Sequence, residues 1–519
     1  MKAILVRSIA ILAVTVAVVS CGTSKSACCA SPGSPSDAKH AHAAIPDRPE
    51  KLTFPPFEFK PPTAEPYRVP LQSGAVAYVA EDRELPLVNI SILVRTGSWL
   101  EPEGKEGLAD LCGNLLTRSG TTTRTAQELE ERLAFLAAML NSGIGGAQGN
   151  VSLNLLSKDL DEGLTILREV LTQPRFQPDR IELQKQQMLQ RMKQRNDDSA
   201  TIEGFESNIL AYGEKFWNNR HQTAESVAAV TREDLLAFHQ RWFSPSNFVL
   251  AVSGDFDRAE MIKKLETLFA DWPIQGETPP PVPSDVTLAK PGVYVVDKEV
   301  NQGRVSMMLP GIMRDHPDYF AVTIMNDILG GGGFTSRLVN RVRSDEGLAY
   351  AVSSSFPGGV YFPNVFRAGF QSKSRTVPYA ISIVLEEMKR IAAEAVAEGE
   401  LENAKRGFIE RLPRTFASKA QIVNVLANEE FTGRYFTHPD YWQTVAAKIQ
   451  NVTGDDVKRV AEKYLTPERL VILVVGDKKE ILKGHPNHPV KLTDFSKNFV
   501  ELPLRDPLTM KPTQKTDAN

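Results

Sequence analysis

Apolar and polar positions along this chain follow two periods, and the change from one to the other marks out the elements. Val76 to Ala80 and Leu87 to Val94 alternate apolar with polar or small residues, which predicts strands. Gly107 to Leu116, Ala126 to Leu140, Leu160 to Leu171 and Ile181 to Arg195 repeat their apolar residues at helical spacing. Short connections between strands predict antiparallel hairpins and hence an α+β class. Three stretches fit neither period. Residues 22–66, rich in Ser, Ala and Pro, cannot bury enough surface to fold and read as a tether. Pro273 to Pro291, with three consecutive prolines at 279–281, reads as a linker. The chain after about residue 482 has scattered prolines and weak periodicity, which predicts a wrapping tail or disorder.

The pattern also repeats. VTREDLLAFHQRWFSPSNFVLAVSGD (230–255) aligns without a gap on VTGDDVKRVAEKYLTPERLVILVVGD (452–477). Each copy reads as a helix, a Ser/Thr-Pro stop and a buried strand ending at Gly-Asp. A second pairing sets IELQKQQMLQRM (181–192) on LENAKRGFIERL (401–412), aligning Lys185 with Lys405 and Arg191 with Arg411. The repeat is far longer than the ~20–50 residues of solenoid units, so it is a duplicated domain.

A chain of 519 residues exceeds what one core supports, since single cores stop growing near ~250–300 residues. The expected organisation is 1–20 signal peptide, 21–66 tether, 67–272 first domain, 273–292 linker, 293–480 second domain and 481–519 tail. A net charge of −3, with no basic patch, argues against a nucleic-acid partner. Lys2 and Arg7 precede an apolar run from Ile9 to Val19, too short for a membrane-spanning helix of ~20 residues. Ser20-Cys21 follows directly and resembles the bacterial lipoprotein cleavage box, which makes Cys21 the expected lipidated first residue of the mature chain. Gly22 rather than Asp after it favours the outer membrane, so the expected location is the bacterial cell envelope, at the periplasmic face of the outer membrane. Cys28, Cys29 and Cys112 form no CxxC pair, which supports neither a zinc ribbon nor a disulfide framework, and Cys112 reads as a buried small apolar residue.

Residues 97–109, GSWLEPEGKEGLA, resemble the lead-in to the zinc helix of the insulinase, pitrilysin and mitochondrial processing peptidase family. Members continue with H-x-x-E-H, where two histidines one turn apart share a zinc ion and the glutamate activates a water. Here the next residues are Asp110-Leu111-Cys112-Gly113-Asn114, so Asp110 and Asn114 stand at the ligand positions and Gly113 at the base. The family's third ligand, a glutamate on a later helix, falls where this chain has Gln190-Arg191. A polar helix face, with no metal bound by this chain, is the expectation. The remaining histidines are isolated or in loops, and no HExxH, GxSxG or P-loop pattern is present.

The second repeat keeps the family's other signature. Gly330-Gly331-Gly332-Gly333-Phe334-Thr335-Ser336 leads to Arg343 and Tyr350, which is similar to the family's glycine-rich turn and R/Y pair. The resemblance spans about 67–480 and implies two insulinase-type domains, each an antiparallel sheet flanked by helices, forming half of a peptidase chamber. It further implies that Arg343 and Tyr350 contact the substrate backbone and developing oxyanion, and that Gly330 to Gly333 contact substrate. Some members divide the zinc motif and the R/Y pair between two chains. On that pattern the chain is a non-zinc subunit, uncertain as an enzyme and inactive alone, whose partner carries H-x-x-E-H and zinc and whose substrate is an unfolded peptide. The alternative is a non-enzymatic peptide-binding or scaffolding lipoprotein of the same fold.

Overall fold

The computed structural model describes Arg48 and residues 59–513. The signal peptide, Cys21 and nearly all of the tether lie outside the described residues. The first repeat forms a six-stranded sheet from β1 (Arg68–Pro70), β2 (Val76–Glu81), β3 (Leu87–Val94), β4 (Met139–Ile144), β5 (Gly149–Leu156) and β6 (Phe248–Gly254), in the order β1-β2-β6-β3-β5-β4. The second repeat forms another from β7 (Gly292–Asp297), β8 (Gln302–Leu309), β9 (Ala349–Ser355), β10 (Phe366–Lys373), β11 (Val471–Gly476) and β12 (Phe499–Leu502), in the order β12-β7-β11-β8-β10-β9. From β2 and β7 outward the two orders match strand for strand, with β2–β6 and β7–β11 parallel and the pairs from β3 and β8 onward antiparallel.

The strands β6 and β11 are buried at every position, which is why their sequences are unbroken apolar runs rather than alternating ones. One face of each sheet packs on helices of its own repeat, giving two separate cores. The other face is covered by a helix from the opposite repeat. Helix Lys419–Phe431 lays Val423, Leu426, Ala427 and Phe431 on Tyr78, Val249 and Ala251 of the first sheet. Helix Ser199–Tyr212 lays Ile202, Leu210 and Ala211 on Tyr294, Met308 and Leu473 of the second. Polar ties reinforce the exchange: Arg68 Nε and the Tyr78 hydroxyl each donate to the Glu430 carboxylate at 2.9 Å, and Arg505 Nε donates to Glu206 at 2.7 Å.

Two expectations need correction, and one open alternative is decided. The helix expected over Ala126–Leu140 ends at Phe135; Ala137 turns left-handed (φ 48°), and Met139 begins β4. Pairing with β5 supplies the ladder hydrogen bonds and core contacts that override the helical spacing there. The tether is packed from Phe59 on, with Phe59 stacked on Phe416 at 6.0 Å and Gln443 Nε2 donating to the Pro62 carbonyl at 3.1 Å. The tail is ordered through residue 513 and wraps: its strand β12 pairs in parallel with β7, and Arg505 anchors it to the helix Ser199–Tyr212.

The exchanged helices make a direct prediction. Phe431, 2% exposed beneath the first sheet, should lose about 3–5 kcal/mol of stability as Phe431→Ala in a denaturant titration. Phe436→Ala, at a position 65% exposed, should change stability by no more than about 0.5 kcal/mol. Equal effects of the two would show that the exchanged helix does not hold the first sheet.

Candidate functional site

The helix Leu108–Leu116 is positioned by the segment before it. The buried Glu101 carboxylate accepts from the N–H groups of Gly107 at 3.1 Å and Ala109 at 2.8 Å, satisfying two donors of the first turn. Burial pushes the Glu101 carboxyl up to about 7, against the pull of those two hydrogen bonds. Leu108, Leu111, Cys112, Leu115 and Leu116 turn into the core. Cys112 is fully buried and its thiol is pushed well up by desolvation, so it is an inert packing residue.

Asp110 and Asn114 share a face, as helical spacing requires, but they are engaged with each other. Asn114 Nδ2 donates to Asp110 Oδ1 at 2.6 Å and to the Asp110 carbonyl at 2.9 Å. Arg191 Nη2, from helix Pro178–Lys193, lies 3.9 Å from Asp110 Oδ2. Burial raises the Asp110 carboxyl, and Arg191 and then Asn114 oppose the shift. A guanidinium thus supplies positive charge beside the carboxylate that stands at the first ligand position of the resembled motif.

Gly113 closes the remaining space. A Cβ at this position would stand 2.3 Å from the Ile144 nitrogen and 2.7 Å from the Gly143 carbonyl carbon, both backbone atoms of β4. The Ser142 hydroxyl donates to the Gly113 carbonyl at 2.6 Å, fastening helix to strand. Zinc does not fit this set: the amide already donates to the carboxylate, the third position is cationic, and no carboxylate stands at the base position. Among the described residues no group of three His, Cys, Asp or Glu side chains is placed to hold a metal.

The second repeat presents a different picture around its own edge strand. Helix Tyr319–Asn326 runs into a wide π-type turn, Asp327–Gly331, and a second wide turn, Val339–Asp345, carries Arg343. Such turns recur at functional sites. Gly330 is buried against β9, where a Cβ would meet Ser354 Oγ at 2.5 Å and Ser354 N at 2.6 Å; Gly331 and Gly333 remain exposed and Gly332 partly so. Gly330 therefore sits against β9 as Gly113 sits against β4.

Arg343 and Tyr350 are brought together. The guanidinium lies 4.9 Å from the Tyr350 ring centre and 4.7 Å from that of Phe334. Both rings face solvent, Tyr350 at 85% and Phe334 at 73% exposure. Cation–π attraction from the two rings favours this placement of the guanidinium without using its N–H donors. Neither the Arg343 guanidinium nor the Tyr350 hydroxyl has a hydrogen-bond or ion-pair partner among the described residues. Phe334 was not singled out by sequence reading; an aromatic directly after four glycines was the available signal. Tyr350 stands on the rim of a cavity of about 590 Å³ bounded by β8, β9, β10 and helix Ser199–Tyr212.

Comparison with known proteins gives two family profiles. Residues 77–210 match that of insulinase (peptidase family M16), and residues 229–408 match the peptidase M16 inactive domain. An uncharacterized zinc protease of Rickettsia bellii is 24% identical over 392 residues, covering 74% of this chain and 91% of that protein. The non-peptidase homolog YmxG of Helicobacter pylori is 25% identical over 409 residues, covering 77% and 91%. Among solved structures, the peptidase M16 inactive domain from Pseudomonas fluorescens superposes with a TM-score of 0.69 at 25% identity, over 79% of this chain and 97% of that one. The periplasmic protease PqqL from Escherichia coli has the same fold, with a TM-score of 0.67 at 18% identity, over 85% of this chain and 49% of that one.

Reinstating the motif should not reinstate the metal. Asp110→His, Gly113→Glu and Asn114→His together are expected to leave zinc, measured by elemental analysis after dialysis, far below one per chain. Gly113→Ala alone should cost about 1–3 kcal/mol, by forcing helix and strand apart. Stoichiometric zinc in the triple variant would contradict the closure.

Proposed function

Because this chain belongs to the insulinase (M16) family of peptidases yet lacks that family's zinc ligands and water-activating carboxylate, we propose that it is the zinc-less subunit of a heteromeric metallopeptidase of the bacterial envelope. A related chain with an intact H-x-x-E-H brings the metal and the base. This chain brings Arg343, Tyr350 and part of the chamber wall. The observation that carries the reading is the asymmetry between the two edge strands. Beside β4 the motif has closed into helix packing, whereas beside β9 a half-buried guanidinium and an exposed phenol are held together with no hydrogen-bond or ion-pair partner for either polar group among the described residues.

What the pair does follows from its donors. A guanidinium and a phenolic O–H each donate to oxygen that gains negative charge, and donors fixed in advance need no reorganisation when the charge develops. Arg343, held by cation–π contact with two rings, is oriented before a substrate arrives. Tyr350 stands on the outermost strand of its sheet, where an extended, unfolded peptide can add its main chain to the edge and bring its carbonyls within reach of both donors. The name non-peptidase homolog, borne by a relative of similar length, accords with a chain that does not cleave alone. The signal-like N-terminus with Ser20-Cys21 supports anchoring at the periplasmic face of the outer membrane.

Two measurements test this. In the assembled peptidase, Arg343→Ala and Tyr350→Phe should each lower turnover by roughly 10²-fold, as loss of an oxyanion donor does, with far-UV circular dichroism unchanged. Unchanged turnover would refute the catalytic contribution and favour a scaffolding lipoprotein. Cys21→Ser should move the chain from the membrane pellet to the soluble periplasmic fraction; retention in the pellet would refute the lipid anchor.

A further inference from the structure

The cavity beneath Tyr350 is cationic, and the fold does not require it to be. Its floor is the face of the second sheet that helix Ser199–Tyr212 leaves uncovered, and it is lined by Arg304 of β8 and Arg367 and Lys373 of β10. Arg304 Nε donates to the Ser199 hydroxyl at 3.2 Å and Arg367 Nη2 to the Asn208 side-chain carbonyl at 3.3 Å, both neutral acceptors. None of the three cations has a carboxylate partner among the described residues. The one carboxylate in the lining, Glu203, instead accepts from the Ser306 hydroxyl. Three cations therefore stand against one acid, on a chain whose overall charge is −3.

The first repeat serves as an internal control. Its sheet has the same strand order, and β3 and β5 correspond to β8 and β10. Arg304 pairs across the sheet with Gln371, and the equivalent pair in the first sheet is Asn89 with Asn154. By the same register Arg367 corresponds to Asn150 and Lys373 to Leu156. In the first sheet these positions carry neutral polar side chains bonded to one another, with Asn154 donating to Asn89 and Asn150 to Ser91. Identical architecture thus tolerates a neutral face, and the charge on the second is not demanded by folding. Half-buried guanidinium groups without a carboxylate carry a desolvation cost that a ligand's carboxylates offset.

We propose that this face binds the acidic segment of an extended peptide, so that the substrate class is peptides rich in Asp and Glu. The proposal rests on the reading of the chain as a peptide-handling subunit and adds the selectivity of its site. Side-chain carboxylates on one face of the peptide meet Arg304, Arg367 and Lys373, while Glu203 repels a like-charged residue at the helix wall. The acidic segment lies on this face beneath Tyr350, and the peptide continues over the cavity rim to the β9 edge beside Arg343.

The test is binding by the full-length chain alone, read as fluorescence anisotropy of three labelled unstructured peptides matched in length: glutamate-rich, glutamine-rich and lysine-rich. The glutamate-rich peptide should bind roughly tenfold or more tighter than the glutamine-rich one, and added salt should erode the difference. In Arg304→Gln/Arg367→Gln/Lys373→Gln the preference should vanish. If that variant does not fold, Lys373→Gln, at an exposed position, should reduce the preference severalfold. Equal binding of glutamate- and glutamine-rich peptides, a preference that survives the substitutions, or tighter binding of single-stranded DNA than of the acidic peptide would overturn the proposal. Because no partner or turnover enters this measurement, its failure leaves the catalytic reading standing. Failure of the Arg343 and Tyr350 variants to alter turnover leaves the peptide selectivity standing.

Discussion

The close approach of Gly113 to strand β4 is the constraint on which the rest depends. A helix that in related peptidases grips a metal here lies so near the edge strand that position 113 has no room for a side chain. Once that contact forms, the former ligand positions are free to pair with each other. Asn114 bonds Asp110, and Arg191 from the neighbouring helix supplies the positive charge. Each replacement fits the others: a carboxylate suits a guanidinium, an amide suits a carboxylate, and glycine suits the backbone of a strand. The first repeat has become a structural partner for the second.

Duplication makes the contrast between the halves readable. The two sheets share an order, each is roofed by a helix from the other repeat, and each has a glycine pressed on its edge strand. What differs is the chemistry placed on that common frame. Around β4 and β5 the polar side chains satisfy one another. Around β9 and β10 an arginine lies against two exposed rings and the sheet face carries cations with no carboxylate partner among the described residues. Features that the fold does not need, present in one copy and absent from its twin, are the ones most directly tied to function.

Much of this was legible in the sequence. The strands Val76–Glu81 and Leu87–Val94 and the helix Leu108–Leu116 follow from periodicity to within a residue. The repeat was visible because β6 and β11 are core strands whose composition burial restricts. The end of the helix at Phe135 was hidden, since the switch to β4 is decided by pairing with β5, a contact remote from the local pattern. The tail was equally opaque: β12 is a short edge strand with little apolar alternation, and its place is fixed by β7 and by Arg505 on Glu206. At the site, the absent ligands and the Arg343–Tyr350 pair could be read directly. The role of Phe334 and the cationic floor could not, because Arg304, Arg367 and Lys373 share a face only after β8 and β10 pair.

The central claim is that this polypeptide contributes to a peptidase site it cannot complete. Peptide hydrolysis measured with this chain alone, with a related H-x-x-E-H chain alone, and with both mixed in zinc-containing buffer addresses it most directly. The expected result is chelator-sensitive cleavage that reaches its full rate only in the mixture, with none from this chain by itself. Robust, chelator-sensitive cleavage by this chain unaided would contradict it.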